Sequence, residues 1–125
     1  MASLIYEGVV TRYTGVKIVM AHGGGYFPIY LGRLDRNAIN RPDTVRNTGG
    51  KMPGELLRCF HYDACVYDPQ VLAVLLQRVG SDRLVMGSDY PVGEKDPLGW
   101  LRECGLTGQD YDNIAGGNAR RLLGL

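Results

Sequence analysis

The sequence predicts an α/β fold in which short parallel strands alternate with helices. Three short apolar or mixed runs rich in β-forming residues have the length of strands, and segments with helical periodicity separate them. Glycine accounts for 18 of the 125 residues and clusters where the apolar runs end. Alternation of this kind is typical of a parallel sheet whose strand ends carry functional loops.

Composition and charge describe a single globular domain over residues 1–125. Hydrophobic residues make up 45% of the chain and charged residues 22%, and 14 basic side chains against 13 acidic ones give a net charge of +1. There is no run of like charges and no apolar run of about 18 residues, so we expect neither a nucleic-acid nor a membrane partner. No signal peptide is visible and the three cysteines lack CxxC spacing, so we expect a cytoplasmic protein with reduced, buried thiols.

The first half of the chain predicts two helices, one strand and a loop. These are a helix over residues 1–13, a strand over Val16–Ala21, a helix over residues 26–39 and a loop over residues 44–53. The first helix carries one apolar stripe and is closed by Gly15, and the Arg41-Pro42 step breaks the second helix. The strand is almost wholly apolar, which predicts burial on both of its faces.

The second half repeats the alternation. It predicts a helical piece over residues 54–58, a strand over Cys59–Cys65, a helix from Asp68 to Gly80, a strand over Arg83–Gly87, and weaker helices over residues 98–104, 110–115 and 117–123. The helix after Asp68 has the clearest signals, because Asp68 is a good N-cap residue and Pro69 suits the first helical position.

Polar residues follow each of the predicted strands. The segments after the strands are His22-Gly-Gly-Gly, Asp63-Ala-Cys65 and Ser88-Asp89-Tyr-Pro. Because the carboxyl ends of parallel strands share one edge, a histidine and aspartates there suit metal binding or proton transfer. A structural alternative remains open, in which His22 closes its strand and Asp89 begins a turn before Pro91.

Two competing motifs are weaker. The HGGG sequence also forms the oxyanion hole of some esterases, but the G-x-S-x-G element that such enzymes require is absent. Cys59, His61, Asp63 and Cys65 alternate along one predicted strand, where same-face neighbours lie about 6.6 Å apart and are too widely spaced to close one metal shell. Core thiols and a single polar contact explain these four residues better.

Taken together, the motifs resemble the carboxyl-terminal part of the aminocarboxymuconate-semialdehyde decarboxylase-like branch of the amidohydrolase superfamily. The resemblance extends over essentially the whole chain. The segments that carry it are Lys17-Ile-Val-Met-Ala-His-Gly-Gly-Gly25, Phe27-Pro28, Gly32-Arg33, Arg41-Pro-Asp43, Phe60-x-x-Asp63, Asp68-Pro69, Gly87-Ser-Asp-Tyr-Pro91 and Gly117-Asn-Ala119.

This resemblance implies a zinc-dependent (β/α)8 barrel that decarboxylates a small unsaturated or aromatic carboxylic acid. By the same resemblance, Asp89 matches the metal ligand on the eighth strand. His22 matches the acid/base histidine on the sixth strand, which acts on the metal-bound water. Arg33 matches an arginine that reaches across a dimer interface to a substrate carboxylate. These roles are chemically consistent, since zinc activates water, imidazole titrates near neutrality and a guanidinium holds a carboxylate through two hydrogen bonds.

The chain departs from the family pattern in length and in metal ligands. A complete barrel needs about 250 residues, and this sequence matches only the last three strands and their helices. The family's H-x-H motif is missing, so Asp89 is the one expected ligand that is present. We therefore expect a partial TIM barrel, the carboxyl-terminal fragment of a parent enzyme that holds zinc. By itself the fragment lacks most of the ligands that zinc requires.

An open three-stranded sheet predicts self-association, because its edges would leave backbone groups unpaired.

Three functions remain open on the sequence. The chain belongs to a decarboxylase, to a metal-dependent hydrolase or hydratase of the same superfamily, or to an inactive remnant that acts as an interaction protein.

Overall fold

A parallel three-stranded sheet lies at the centre of the computed structural model, which describes residues 1–125. The strands are ordered as they occur along the chain. The helices and strands are α1 (Ala2–Tyr6), α2 (Val9–Arg12), β1 (Val19–Met20), α3 (Leu31–Asn40), β2 (His61–Asp63), α4 (Pro69–Val79), β3 (Leu84–Val85), α5 (Pro97–Glu103), α6 (Gly108–Asp112) and α7 (Asn118–Leu123). The predicted α/β class with a parallel sheet is confirmed.

The register of β2 assigns the strand residues to two faces of the sheet. Tyr62 pairs with Met20 on one side and with Leu84 on the other, so these three side chains share a face. Tyr62 and Leu84 are both fully buried there. Val19 pairs with His61 on the opposite face, where Val19 is 49% exposed.

The hydrophobic core lies between the Tyr62 face of the sheet and the helices. The Tyr62 hydroxyl donates a hydrogen bond to the Leu57 carbonyl at 2.8 Å, which satisfies the one polar atom of a fully buried ring. The other large core side chains with less than 2% exposure are Ile5, Leu56, Phe60, Leu72, Leu75, Val79, Leu101 and Ile114.

Helix α4 forms as its sequence signals predict. Asp68 Oδ1 accepts hydrogen bonds from the backbone N–H groups of Gln70, at 2.8 Å, and Val71, at 3.3 Å. Pro69 occupies the first helical position, and Gly80 ends the helix with a φ of 80°. The helix buries one apolar face beneath the sheet and so fixes the approach to β3.

The Gly117-Asn118-Ala119 motif has a structural role at the start of α7. Asn118 is 2% exposed, and its Nδ2 donates to the carbonyls of Ser81 and Leu84. These bonds satisfy backbone groups at the beginning of β3 and attach the last helix of the chain to the sheet.

Several predicted boundaries were wrong. The helix expected over residues 1–13 is two helices, because Gly8 between them has a left-handed φ of 70° and lies so close to the Asn47 carbonyl that a Cβ would approach it to 2.2 Å. The strands are shorter than their apolar runs, and the helix expected from residue 26 begins at Leu31, after turns that contain Pro28.

Two burial predictions were also wrong. The first strand is not buried on both faces, because β1 lies at the edge of the sheet and Val19, with a neighbouring strand on one side only, stays 49% exposed. All three cysteines are free as expected, but Cys59 is exposed, because it ends a 3-10 segment instead of entering the strand. No helix has both the length and the apolar character needed to cross a bilayer.

Candidate active site

The polar residues that follow the three strands lie together at one edge of the sheet. His22 comes two residues after β1, Asp63 ends β2 and Asp89 comes four residues after β3. Since the strands are parallel and β2 lies in the middle, Asp63 lies between the segments that carry His22 and Asp89. The structure thus places all three predicted segments at the edge where the sequence located the chemistry.

Glycines shape the loop that carries His22. Gly23 is buried with a φ of +61°, and a Cβ there would lie 2.5 Å from Val66 Cγ1. Gly24 has a φ of +79°, and a Cβ added there would lie 2.9 Å from the Tyr62 ring, so this position also has no space for a side chain. Any larger residue at either position would push the loop away from the sheet, so these glycines hold the His22 backbone close to the strand ends.

Asp63 connects two of the strand-end loops. Its Oδ1 accepts a hydrogen bond from the Gly23 N–H at 3.1 Å and a second from the Cys65 N–H at 3.1 Å. The carboxylate therefore fixes the residue after His22 relative to the end of β2. Sequence reasoning selected the Asp63 segment but gave Asp63 no role, because the contact spans 40 residues of chain.

Asp89 presents its carboxylate from a tight turn. The Asp89 carbonyl accepts hydrogen bonds from the N–H groups of Val92, at 3.0 Å, and Gly93, at 2.9 Å, and the Tyr90-Pro91 peptide bond within this turn is cis. The Asp89 side chain makes neither a hydrogen bond nor an ion pair within the chain and is exposed. It is consequently free to bind a cation or a substrate group.

Tyr67 links the segments that follow β2 and β3, a role that sequence reasoning missed. Its hydroxyl donates to the Ser88 carbonyl at 3.2 Å, one residue before Asp89. A Cβ at Gly93 would lie 1.9 Å from the same hydroxyl, so Gly93 is what allows Tyr67 to reach this position. No local pattern around Tyr67 signals the contact, which becomes visible only when the strands are paired.

Left-handed backbone conformations concentrate at this edge of the sheet. The chain has three residues other than glycine with positive φ, namely His22 at 52°, Tyr67 at 50° and Asp89 at 53°. Such conformations are costly for residues with a Cβ, and they cluster at functional sites where the surrounding structure holds them. The two residues predicted to carry chemistry, His22 and Asp89, are both members of this set.

Cys65 lies beneath the same loops with its thiol enclosed. The side chain is buried, and a Cβ at Gly87 would lie 2.6 Å from its Sγ. Burial raises the pKa of the Cys65 thiol, and the nearby Asp63 charge raises it further. A raised pKa keeps the thiol protonated, and a protonated, enclosed thiol is a poor nucleophile, so packing against Gly87 is the role that the structure shows for Cys65.

Arg33 does not share a cavity with the other predicted site residues. It is exposed on α3 and lines an open surface cavity of about 540 Å³ together with Tyr6, Arg36 and Asn37. His22 and Asp89 do not line this cavity. Within a single chain, therefore, no one cavity brings Arg33 together with His22 and Asp89.

The residues of this chain do not form a metal site by themselves. Nowhere do three or more histidine, cysteine, aspartate or glutamate side chains come together in a way that could hold a metal ion. Asp89 offers one carboxylate, and Asp63 is engaged by backbone N–H groups. A structural or catalytic zinc site needs at least three protein ligands, which this arrangement lacks.

Parallel strands with acidic and imidazole groups at their carboxyl ends define the class of α/β proteins whose functional loops follow the strands. More specifically, the chain belongs to the amidohydrolase family, whose profile, described as Amidohydrolase, matches residues 1–125. The predicted resemblance to the decarboxylase-like branch is confirmed, since the chain is 34% identical over 130 residues to the 2-amino-3-carboxymuconate-6-semialdehyde decarboxylase of Dictyostelium discoideum. That match covers 100% of this chain and 36% of the relative.

Solved structures give the same result for the fold. The 5-carboxyvanillate decarboxylase of Sphingomonas paucimobilis superimposes with a TM-score of 0.81 at 26% identity, over 99% of this chain and 38% of that one. A dihydroxybenzoic acid decarboxylase from Polaromonas sp., solved with bound manganese and the inhibitor 2-nitroresorcinol, gives a TM-score of 0.78 at 23% identity over 99% and 38%. The chain therefore spans well under half the length of the proteins that it matches.

We expect Asp63→Ala to loosen the His22 loop. Loss of the carboxylate leaves the Gly23 and Cys65 N–H groups without their acceptor, so their hydrogen exchange, followed by NMR, should accelerate about tenfold. Asp110→Ala, on the exposed surface of α6, serves as the matched control and should leave both rates unchanged. Equal rates in Asp63→Ala and the unmodified chain would show that this carboxylate does not hold the loop.

Replacing Asp89 by glycine should stabilise the fold. Glycine adopts a φ of 53° without a Cβ penalty, and the Asp89 side chain makes no hydrogen bond that would be lost. Asp89→Gly should raise the free energy of unfolding, measured by urea denaturation, by about 0.5 kcal/mol or more. Asp110→Gly in α6 should instead lower it by about 0.5–1 kcal/mol, and a loss of stability in both variants would refute strain at Asp89.

Proposed function

We propose that these 125 residues form the last three strand-helix units of a (β/α)8-barrel decarboxylase acting on a small unsaturated or aromatic carboxylic acid. The observation that carries the proposal is the convergence of His22, Asp63 and Asp89 on neighbouring strand ends, with His22 and Asp89 held in left-handed conformations. The decarboxylase names of the related proteins support the choice of reaction.

His22 is the proposed proton-transfer group. Decarboxylation breaks a carbon–carbon bond and places a proton on the carbon that loses carbon dioxide. An exposed imidazole has one nitrogen that can donate a proton and one that can accept it, so it is suited to deliver and recover that proton. Asp63 has the supporting role, because its hydrogen bond to the Gly23 N–H fixes the loop on which His22 lies.

Asp89 and Arg33 are the proposed contacts to a divalent metal and to a substrate carboxylate. Asp89 would provide one ligand to the ion, which the resemblance implies is zinc, and the remaining ligands would have to come from outside these residues. Bound there, the ion would polarise the substrate. Arg33 is exposed and shares no cavity with His22, which supports a role in holding a substrate carboxylate between two copies of the chain.

A second candidate function is that of an interaction protein without catalytic activity. The lack of a metal-ligand cluster in the chain favours it. A hydrolase or hydratase of the same family would use the same strand-end residues. Identifying the reaction products distinguishes these reactions from decarboxylation, which alone releases carbon dioxide.

The proposal can be tested in a chimera in which residues 1–125 replace the matching third of the Dictyostelium decarboxylase. The chimera should hold about one metal ion per chain by plasma mass spectrometry and should release carbon dioxide from the relative's substrate. His22→Asn should reduce turnover by about 10² or more with the metal retained, because a general acid/base is lost.

Asp89→Asn in the same chimera should lose the metal together with turnover, whereas the matched substitution Asp110→Asn should change neither. Arg33→Gln should raise KM more than it lowers kcat, and Arg78→Gln on α4 should leave both unchanged. A folded, metal-loaded chimera with undiminished turnover in His22→Asn would rule out the role of His22. A folded chimera that binds no metal would favour the interaction protein.

We also propose that the chain self-associates through β1. One edge of β1 has no partner strand. Val19 within β1 is 49% exposed, and Val16, three residues before it, is 57% exposed. Sedimentation at micromolar concentration should show species larger than the monomer, and Val19→Lys should shift them to monomer. Ile39→Lys, at an equally exposed position on α3, is the control. A clean monomer for the unmodified chain would contradict the proposal.

A further inference from the structure

A second cluster of polar residues lies at the amino end of the sheet, opposite the edge that carries His22 and Asp89. Lys17 lies two residues before β1, His61 begins β2 and Arg83 immediately precedes β3. These three residues and Arg121 line a cavity of about 270 Å³ between the strand starts and α7. The amidohydrolase chemistry proposed above uses none of them.

The cavity has an excess of positive charge. Its one carboxylate, that of Asp82, is already paired with Arg58 through two contacts, Nη2 to Oδ2 at 2.9 Å and Nη1 to Oδ1 at 3.2 Å. Arg83 Nε lies 3.4 Å from the same carboxylate, is buried and makes no hydrogen bond. Lys17 has no acidic partner within the chain. Lys17, Arg83 and Arg121 therefore line the cavity with a single carboxylate, and that carboxylate is bound more closely by Arg58.

His61 is buried at this cavity with its hydrogen-bonding capacity unused. The residue is 7% exposed, and its Nδ1 is enclosed without a hydrogen-bond partner. Burial, followed by the charges of Arg83 and Lys17, lowers the pKa of the imidazole. Nearly all buried polar groups in proteins find a partner, so an unpartnered imidazole beside an excess of cations is the feature expected of a ligand site.

The far wall of the cavity is held rigidly. Arg121 Nη2 donates to Asn113 Oδ1 at 3.0 Å and to Asn118 Oδ1, so the guanidinium is positioned without a carboxylate partner. Asn118 is in turn fixed by its bonds to the carbonyls of Ser81 and Leu84. A cation held by neutral amides keeps its charge available to a ligand, and the ligand need not order the side chain.

We propose that this cavity binds a phosphate group, held by Lys17, Arg83 and Arg121 and covered by His61. A phosphate brings up to two negative charges and several acceptor oxygens pointing in different directions, which matches cations arriving from β1, β3 and α7. A carboxylate offers one charge and two oxygens in a plane and would leave part of the cluster unpaired. The site is independent of the decarboxylase proposal, since it lies at the other end of the strands.

The experiment is a titration of the 125-residue chain with inorganic phosphate, followed by isothermal calorimetry and by the NMR resonances of the His61 ring. Phenyl phosphate and acetate are titrated in parallel, at constant ionic strength. We expect saturable phosphate binding with a Kd of about 1 mM or lower and a shift of the His61 resonances on the same curve. Tighter binding of phenyl phosphate would identify a phosphate monoester as the ligand, and equal or weaker binding would identify the free anion.

Lys17→Gln and Arg83→Gln should each weaken phosphate binding by about tenfold, since each removes a charge-assisted contact. The matched controls are Lys95→Gln and Arg78→Gln, both exposed and outside this cavity, which should leave the affinity unchanged. Circular dichroism and urea midpoints verify the fold of each variant, and Lys17, being exposed, can be replaced without disturbing the core. Non-saturable binding, equal losses in the control variants, or acetate binding as tight as phosphate would each overturn the proposal.

Discussion

The hydrogen bonds to the Asp63 carboxylate are the interaction on which the candidate site depends. One carboxylate oxygen at the end of the central strand receives the N–H of Gly23 from the loop after β1 and the N–H of Cys65 from its own loop. Because β2 pairs with both neighbours, anything fixed to its end is fixed relative to the whole sheet. The His22 loop is thus positioned relative to β2 by the bond to Asp63. The Asp89 segment is positioned relative to β2 by the hydrogen bond from Tyr67, which follows this strand, to the Ser88 carbonyl.

The loops at this edge combine unfavourable local backbone geometry with close packing. Glycine occupies the positions where a Cβ would collide with Val66 or the Tyr62 ring, whereas His22 and Asp89 adopt left-handed conformations that glycine would adopt more easily. A chain under pressure for stability alone would place glycine at those two positions as well. Retaining side chains there is consistent with use of the imidazole and the carboxylate in chemistry.

Sequence reasoning predicted the parts of this molecule that depend on local patterns. Helix α4, with Asp68 and Pro69 at its start, and the strand-helix alternation follow from N-cap chemistry and from apolar runs, which nearby residues determine. The splitting of the first helix at Gly8, the exposure of Val19 and the contact of Tyr67 with Ser88 depend on residues distant in the chain, so no local pattern signals them. The strand-end rule located His22 and Asp89, but the hydrogen bonds that order their loops, to Asp63 Oδ1 and to the Ser88 carbonyl, became visible only with the strands paired.

The sequential order of the strands also bears on how the chain reaches this structure. The Tyr62–Leu84 pairing closes a loop of roughly 20 residues, much of it the strongly apolar α4, whereas the Val19–His61 pairing closes one roughly twice as long. Loop-closure entropy therefore favours formation of the β2-α4-β3 unit before β1 adds to it. The central strand and the Asp63 carboxylate would then already be in place when the glycine-rich segment arrives, and the His22 loop would be the last part to order.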